Sequence, residues 1–341
     1  MSGGIDSSIA SCLLHEQGYE VIGFTLKTWD FSAAGNIANE PGCCSLDSIN
    51  DARQVAVKMG ISHYVLDVRE EFDAIIVRDF IDEYLAGKTP NPCILCNTHI
   101  KWGTLLNKAD QLDCEYISTG HYARVREQNG RFILSKGTDE TKDQSYVLWG
   151  LTQEKLRRTL FPLGGLKKTE IRKIATGLGF HKLASKRESY DICFIPQGDY
   201  RSFLLRHVEN LEQKPGEGDI ITSDGRILGK HKGFPFYTIG QRKGLKVATG
   251  VPLYVTEINS ISNTIILGTR EDLCKSNMTV RDFNLIKYNV LPENFEAITK
   301  IRYKDPGIVS TLSVEGKLIK VAFEKGAVGV TPGQSAVFYE G

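Results

Sequence analysis

At 341 residues the chain is long enough for two or three domains and a large buried core. With 41% hydrophobic and 24% charged residues it reads as an ordinary globular protein, which excludes a disordered or low-complexity chain. A net charge of +1 means that any polyanionic partner must be met by local patches. No apolar run approaches the roughly 18–20 residues of a membrane span, and no export signal opens the chain, so a cytoplasmic protein is expected. Its eight cysteines (Cys12, Cys43, Cys44, Cys93, Cys96, Cys114, Cys193 and Cys274) therefore read as reduced thiols with burial or chemistry to explain them.

The first predicted element is a loop, Ser2 to Ser8, running into the helical pattern IASCLLHEQG. Up to about residue 205, short β-branched runs then alternate with helical patterns, which predicts a parallel sheet flanked by helices. The strands are YEVIGFT (19–25), HYVLDV (63–68) and EYISTG (115–120). Between the first two, SLDSINDARQVAVKMG predicts a helix capped by Ser45 and stopped at Gly60. EEFDAIIVRDFIDEYLAG and CNTHIKWGTLLNKADQL give two more helices. The insertion YARVREQNGRFILSKG predicts a hairpin turning at Asn129-Gly130 and protruding from the sheet edge.

Beyond about residue 206, short strands are punctuated by Gly and Pro, with turns at Asp305-Pro306-Gly307, Glu315-Gly316 and Pro332-Gly333. The expected domains are 1–205, 206–272 and 273–341: an α/β domain, a small β-rich central domain and a C-terminal β-barrel.

The opening loop carries the first chemistry. Two glycines and three serines before a helix let backbone N–H groups converge on an anion at the positive end of the helix dipole, and phosphate is the natural occupant. An ordinary glycine turn before a capped helix is the competing reading of S-G-G alone. The spacing is neither that of a Walker loop nor G-x-G-x-x-G.

SGG-x-DS resembles the pyrophosphate loop of the N-type ATP pyrophosphatases, adenine-nucleotide alpha hydrolase-like enzymes that adenylate a carbonyl or carboxylate oxygen and release pyrophosphate. The resemblance implies ATP, with Mg2+, as the nucleotide and no permanently bound cofactor or dedicated metal site. Asp6 would help hold metal and phosphates while Ser2, Gly3, Gly4, Ser7 and Ser8 cradle them. Leu26 and Gly120 would complete the nucleotide contacts. In such folds a central strand precedes the loop, whereas here only Met1 does. A chain lacking that strand through truncation is the expectation, because unpaired neighbours would cost roughly 1–3 kcal/mol for each backbone group.

In GKTPNPCILCN (87–97), two prolines fix an irregular loop ahead of a C-x-x-C pair, placed near the start of a helix beginning around Asn97. A helix N-terminus would favour the thiolate. Half of a zinc site and a redox pair are the alternatives, and zinc would need further ligands at matching spacing. Cys193, in ESYDICFIPQGDY, sits in an apolar run where cysteines are usually buried.

SGG-x-DS, TPNPC-x-x-CN, TGHYA (119–123), KDQSY (142–146), DICFI (191–195), FPFYTIGQRKGL (234–245), RY (302–303) and TPGQ (331–334) occur in the order seen in the tRNA-specific 2-thiouridylases. The resemblance spans residue 1 to about 338. It implies ATP-dependent 2-thiolation of the wobble uridine (U34) of the tRNAs for Lys, Glu and Gln. By the same resemblance Cys96 is the nucleophile and Cys193 carries a persulfide, supplied by a cysteine desulfurase or a sulfur-carrier protein. A transient Cys96–Cys193 disulfide would form as the thiolated base leaves. Asn91, Pro92 and Cys93 would meet the target base, and His121, Lys142, Asp143, Gln144, Arg302, Tyr303 and Gln334 the tRNA.

One departure matters: some relatives carry Asp where this chain has Cys93, which leaves the acid/base role unassigned. Cys12 and Cys114 read as packing residues. Seven Lys/Arg lie between 167 and 187, and six between 224 and 246 with Phe234, Phe236 and Tyr237 among them. Such clusters suit phosphate contacts and base stacking, although the first is also what a solvated helix face looks like. Two readings of other kinds compete. One is a related ligase with an amine nucleophile, which would not need Cys96 and Cys193; the other is a non-catalytic RNA-binding protein, which would show no ATP–pyrophosphate exchange. The 4-thiouridine synthases share the activation chemistry but normally carry an N-terminal RNA-binding domain, absent from this sequence.

Overall fold

The computed structural model describes residues 1–29, 45–186, 192–195, 198–248 and 250–341. They form two compact units, the first made of Met1–Ile76 with Cys93–Gly198 and the second of Val77–Pro92 with Asp199–Gly341. Among the described residues no helix is long and apolar enough to cross a membrane.

In the first unit, local signals set the helices. The opening helix, Ile5–Glu16, buries Ile5, Ile9, Ala10 and Cys12 against Val55, Tyr122, Leu163, Ile171, Ala175 and Leu183. Leu46–Met59 starts where Ser45 accepts from the Ser48 amide at 3.1 Å and ends at Gly60 in the left-handed conformation (φ 70°). The expected helix after residue 69 runs as Arg69–Phe72, a π-helical Asp73–Val77 and Arg78–Leu85. The hairpin forms as expected: Ala123–Gln128 pairs with Arg131–Lys136, and Asn129 and Gly130 both take positive φ (52° and 72°), as a two-residue turn requires.

The parallel pairing differs from a single continuous sheet. Gly23–Lys27 pairs with His63–Asp67, and Ile117–Ser118 pairs separately with Thr159–Leu160, a strand the sequence pattern did not suggest. Met1 lies beside the first pair: its amine donates to the Phe24 carbonyl and its carbonyl accepts from Thr25 Oγ1 at 2.6 Å. One residue offers isolated bonds, not a ladder. The first strand starts at Gly23 rather than Tyr19 because the chain is still leaving the helix there, with the Tyr19 amide bonded to the Leu14 carbonyl at 3.1 Å.

The second unit is mainly β. A four-stranded sheet runs in the order Ile227–His231, Gly218–Thr222, Thr264–Gly268, Tyr254–Asn259, with its middle pair parallel. Its core holds Ile220, Phe234, Ile239, Leu245, Val255, Ile265, Leu267 and Leu273. A five-stranded antiparallel sheet runs in the order Cys274–Arg281, Leu318–Val328, Ile308–Glu315, Phe295–Lys300, Val337–Tyr339. It closes over Ala297, Ile301, Leu312, Ile319, Val321, Phe323 and Ala327. Helix Tyr200–His207 also belongs to this unit, with Tyr200 stacked on Tyr84 at 4.6 Å.

Candidate functional site

The loop Ser2–Gly4 caps the first helix with backbone rather than side chain: Gly4 is the N-cap and no side chain accepts from the first turn. The N–H groups of that turn have no preceding helical carbonyl, so they remain available to an anion. Ser7 Oγ meets the Ser2 amide at 2.9 Å and Ser2 Oγ at 3.1 Å, while Ser8 Oγ donates to the Gly4 carbonyl at 3.0 Å. Two glycines have no room for a side chain. A Cβ on Gly3, at φ 67°, would collide with the Ser48 carbonyl, and one on Gly120 would lie 2.6 Å from the Ser7 amide nitrogen. The second helix and the loop after Ile117–Ser118 are thus both packed directly against the anion loop. Leu26 is half-buried, paired with Leu66 in the first parallel pair.

Two lysines of the 167–187 stretch turn onto this loop, and a third reaches the neighbouring second helix. Lys168 Nζ binds the Asp6 carboxylate at 2.7 and 2.8 Å, and the Tyr122 hydroxyl donates to the same carboxylate at 2.6 Å. Lys186 Nζ donates to the Gly3 carbonyl at 2.9 Å and to Asp51 at 2.8 Å, and Lys182 reaches the other Asp51 oxygen at 2.8 Å. Desolvation pushes the Asp51 carboxyl up, but the hydrogen bonds and charges of the two lysines outweigh it and hold the group below the usual carboxylate range. The ammonium groups of Lys168 and Lys186 therefore lie beside the open helix start, paired with Asp6 and Asp51. The sequence reading missed Lys168, Lys186 and Tyr122 as partners of the loop; a basic run in the same expected domain as an anion loop was the available signal.

The helix bearing the C-x-x-C pair starts earlier than expected, at Pro92, because proline suits the first helical position and lacks only an N–H that would be unpaired there anyway. Cys93 therefore lies in the first turn and Cys96 one turn on, opening a π-helical segment, Cys96–Thr104, in which Trp102 departs from helical geometry (φ −100°, ψ 18°). Such segments recur at functional sites. Trp102 is fully buried with its Nε1 donating to Thr159 Oγ1 at 2.7 Å, and Asn97 donates to the Val147 carbonyl at 2.8 Å. Cys96 is half-buried on this anchored framework.

Cys93 is exposed, yet the protein atoms crowded around it push its thiol up, against a smaller opposite pull from Lys101. Cys193 is half-buried in a turn held by buried Phe194 and Ile195, with Phe194 edge-on to Phe72 at 5.6 Å. Cys12, Cys93, Cys96, Cys114, Cys193 and Cys274 all carry reduced sulfurs in this structure, so it does not show the expected Cys96–Cys193 disulfide. Cys12 is a packing residue, its thiol raised to about 11 by burial; Cys114 is half-buried, with its Sγ 3.7 Å from the Leu112 carbonyl. Cys43, Cys44 and Asp191 lie outside the described residues. Among the described residues no three His, Cys, Asp or Glu side chains gather as metal ligands.

Of the residues expected to meet RNA, two lie inside. His121 is buried between Trp102 and Phe161 and bonded to Thr119 Oγ1 at 2.7 Å, and desolvation depresses its pKa far below the usual histidine value. Buried Asp143 accepts from the amides of Gly137 and Ser145, both at 3.1 Å, and so shapes the turn. Gln144 accepts from the Tyr122 amide at 3.0 Å, and Lys142 beside it is half-buried. Arg302 and Tyr303 are exposed, whereas Gln334 is half-buried and donates to the carbonyls of Thr89 and Pro90 at 2.8 and 3.1 Å. In the second basic stretch Phe234 and Phe236 are buried, so base stacking on those rings is corrected to core packing. Arg226, Lys230, Lys232, Arg242, Lys243 and Lys246 are exposed.

Comparison with known proteins finds matches along nearly the whole chain. Residues 1–197 match the family model described as the tRNA methyl transferase HUP domain, 201–269 the tRNA methyl transferase PRC-barrel domain, and 275–341 the Aminomethyltransferase beta-barrel domain. The fold is therefore a HUP-type α/β domain followed by two β domains. The chain is 56% identical to the tRNA-specific 2-thiouridylase MnmA of Amoebophilus asiaticus, covering 100% of this chain and 91% of that protein. It is 54% identical to the protein of the same name from Cytophaga hutchinsonii (100% and 93%) and 51% identical to that of Salinibacter ruber (100% and 90%). The chain belongs to the family of tRNA-specific 2-thiouridylases.

Proposed function

We propose that this protein is a tRNA sulfurtransferase that converts the wobble uridine (U34) of the tRNAs for Lys, Glu and Gln to 2-thiouridine. ATP, with Mg2+, lies along the Ser2–Ser8 loop with Leu26 and Gly120 against the nucleotide. The uracil O2 attacks the α-phosphorus and pyrophosphate leaves. An oxygen that was a poor leaving group becomes part of AMP. The outer sulfur of a persulfide on Cys193 then attacks C2 and AMP departs. Cys96 attacks Cys193 Sγ, leaving the transferred sulfur on the base and closing a Cys96–Cys193 disulfide that an external thiol must reduce.

Asn91, Pro92 and Cys93 lie just ahead of Cys96 in the chain and would border the target base. Lys142, Gln144, Arg302 and Tyr303, with the exposed lysines and arginines of 226–246, supply the contacts to the tRNA backbone. The sulfur reaches Cys193 from a cysteine desulfurase or a sulfur carrier in the cytoplasm.

The observation that carries this reading is a phosphate-type loop with open helix amides and two lysines bonded to it, in the same unit as two partly accessible thiols. Mass spectrometry of wobble uridines from cells lacking this protein tests it. Loss of 2-thiouridine from those tRNAs is expected; unchanged 2-thiouridine with no second copy of the enzyme present overturns it.

A further inference from the structure

Between Arg78–Leu85 and the cysteine-bearing helix, the chain crosses a short loop whose backbone is held from far along the sequence. The Thr89 amide donates to the Pro332 carbonyl at 2.9 Å, and Gln334 Nε2 donates to the carbonyls of Thr89 and Pro90 at 2.8 and 3.1 Å. Both backbone groups of Thr89 are thus taken by the turn 331–334. The fit is close: Gly333 sits at φ 90°, and a Cβ there would lie 2.8 Å from the Thr89 carbonyl oxygen and 2.9 Å from its nitrogen.

The turn is itself braced. Arg302 Nη2 donates to the Gly329 carbonyl at 2.6 Å and to Thr331 Oγ1 at 3.2 Å, and the Gln334 amide nitrogen donates to the Thr331 carbonyl at 3.2 Å. Downstream of Thr89, Pro90 and Pro92 restrict the backbone, and Pro92 is the first residue of the helix that leads to Cys96.

We propose that Gln334 is a positioning residue for the reacting thiol: its carboxamide fixes the Thr89–Pro90 backbone and, through two prolines, the start of the helix that presents Cys96. The inference rests on the reading that Cys96 does the chemistry, and it gives Gln334 a role other than contact with tRNA. A primary amide suits that role because it can donate to two carbonyl oxygens at once.

The test uses the full chain, first without ATP or tRNA. Alkylation of Cys96 by iodoacetamide, followed peptide by peptide, should rise severalfold in Gln334→Ala and Gln334→Glu, because the half-buried thiol loses its fixed setting. Exposed Cys274 should react as in the wild type, and buried Cys12 should stay unreactive, which shows that the fold is intact. In turnover, kcat for 2-thiolation should fall by about tenfold or more, as expected when a reacting group is misplaced, with KM for tRNA unchanged. Gln334→Lys keeps N–H donors at similar reach and should recover most of kcat.

Wild-type Cys96 alkylation in Gln334→Ala, or a defect confined to KM for tRNA, overturns the proposal. Failure of the wild-type protein to make 2-thiouridine would instead overturn the thiolation reading, and the alkylation result would stand apart from it.

Discussion

Lys168 and Asp6 meet as an ion pair at 2.7 Å, with the Tyr122 hydroxyl on the same carboxylate. The lysine side chain is only 9% exposed and the aspartate 33%, so solvent screens the pair on one side only. Removing the ammonium leaves a partly buried carboxylate at the edge of the anion loop. Lys168→Met should lower stability by about 1–3 kcal/mol, less than for a fully buried pair, and should weaken ATP–pyrophosphate exchange. Chemical denaturation and exchange measured on the same preparations check both. A variant with wild-type exchange would remove Lys168 from the loop's machinery.

The glycines of the loop divide by their surroundings. At Gly3 and Gly120 a methyl group meets fixed backbone, whereas at Gly4 the nearest atom to an added Cβ is the Ser2 hydroxyl oxygen, 3.5 Å away. Gly3→Ala and Gly120→Ala should each cost about 2–4 kcal/mol, while Gly4→Ala should stay within about 1 kcal/mol of wild type. Urea unfolding midpoints separate the two classes. Equal destabilisation by all three would show that the close packing around the loop is not what demands glycine.

What could be read from the sequence follows how local each interaction is. Ser45 and Gly60 mark the second helix, and Asn129-Gly130 the hairpin, because caps and turns are set by neighbouring residues. The anion loop was legible for the same reason. The lysines that serve it were not: Lys168 bonds to Asp6 and Lys186 to Gly3 across separations of 162 and 183 residues, and Gln334 reaches Thr89 across 245. Only the folded chain brings those ends together. Phe234 and Phe236 failed in the opposite sense, since aromatic residues among lysines have the same pattern whether they stack on bases or fill a core; here they fill a core.

Buried His121 gives the fold a definite acid response. Desolvation, reinforced by Lys101, depresses its folded pKa well below that of the unfolded chain, near 6.5. Above that value both states are neutral and the stability is fully present. As pH falls below it the unfolded chain takes up the proton first, and stability drops by up to about 1.4 kcal/mol per pH unit. His63, His99 and His231 are shifted the same way, so His121→Phe should flatten this slope without abolishing it. Unfolding free energies at several pH values from 5 to 8 check this; an unchanged slope would show that His121 titrates alike in both states.

The two thiols proposed for sulfur transfer should fail differently from every other cysteine. Serine keeps the size of the side chain but cannot carry a persulfide or resolve one, so Cys96→Ser and Cys193→Ser should each reduce 2-thiolation on the order of 10⁴-fold or more. Neither residue is part of the Ser2–Ser8 loop, so ATP binding should persist in both variants. Exposed Cys274, in a strand of the terminal sheet, should tolerate serine with full activity. Liquid chromatography of nucleosides from the treated tRNA reads thiolation, and ATP titration by calorimetry reads binding. A related ligase using an amine nucleophile would keep its activity in both serine variants, so substantial residual turnover in either would direct attention to the anion loop and away from sulfur.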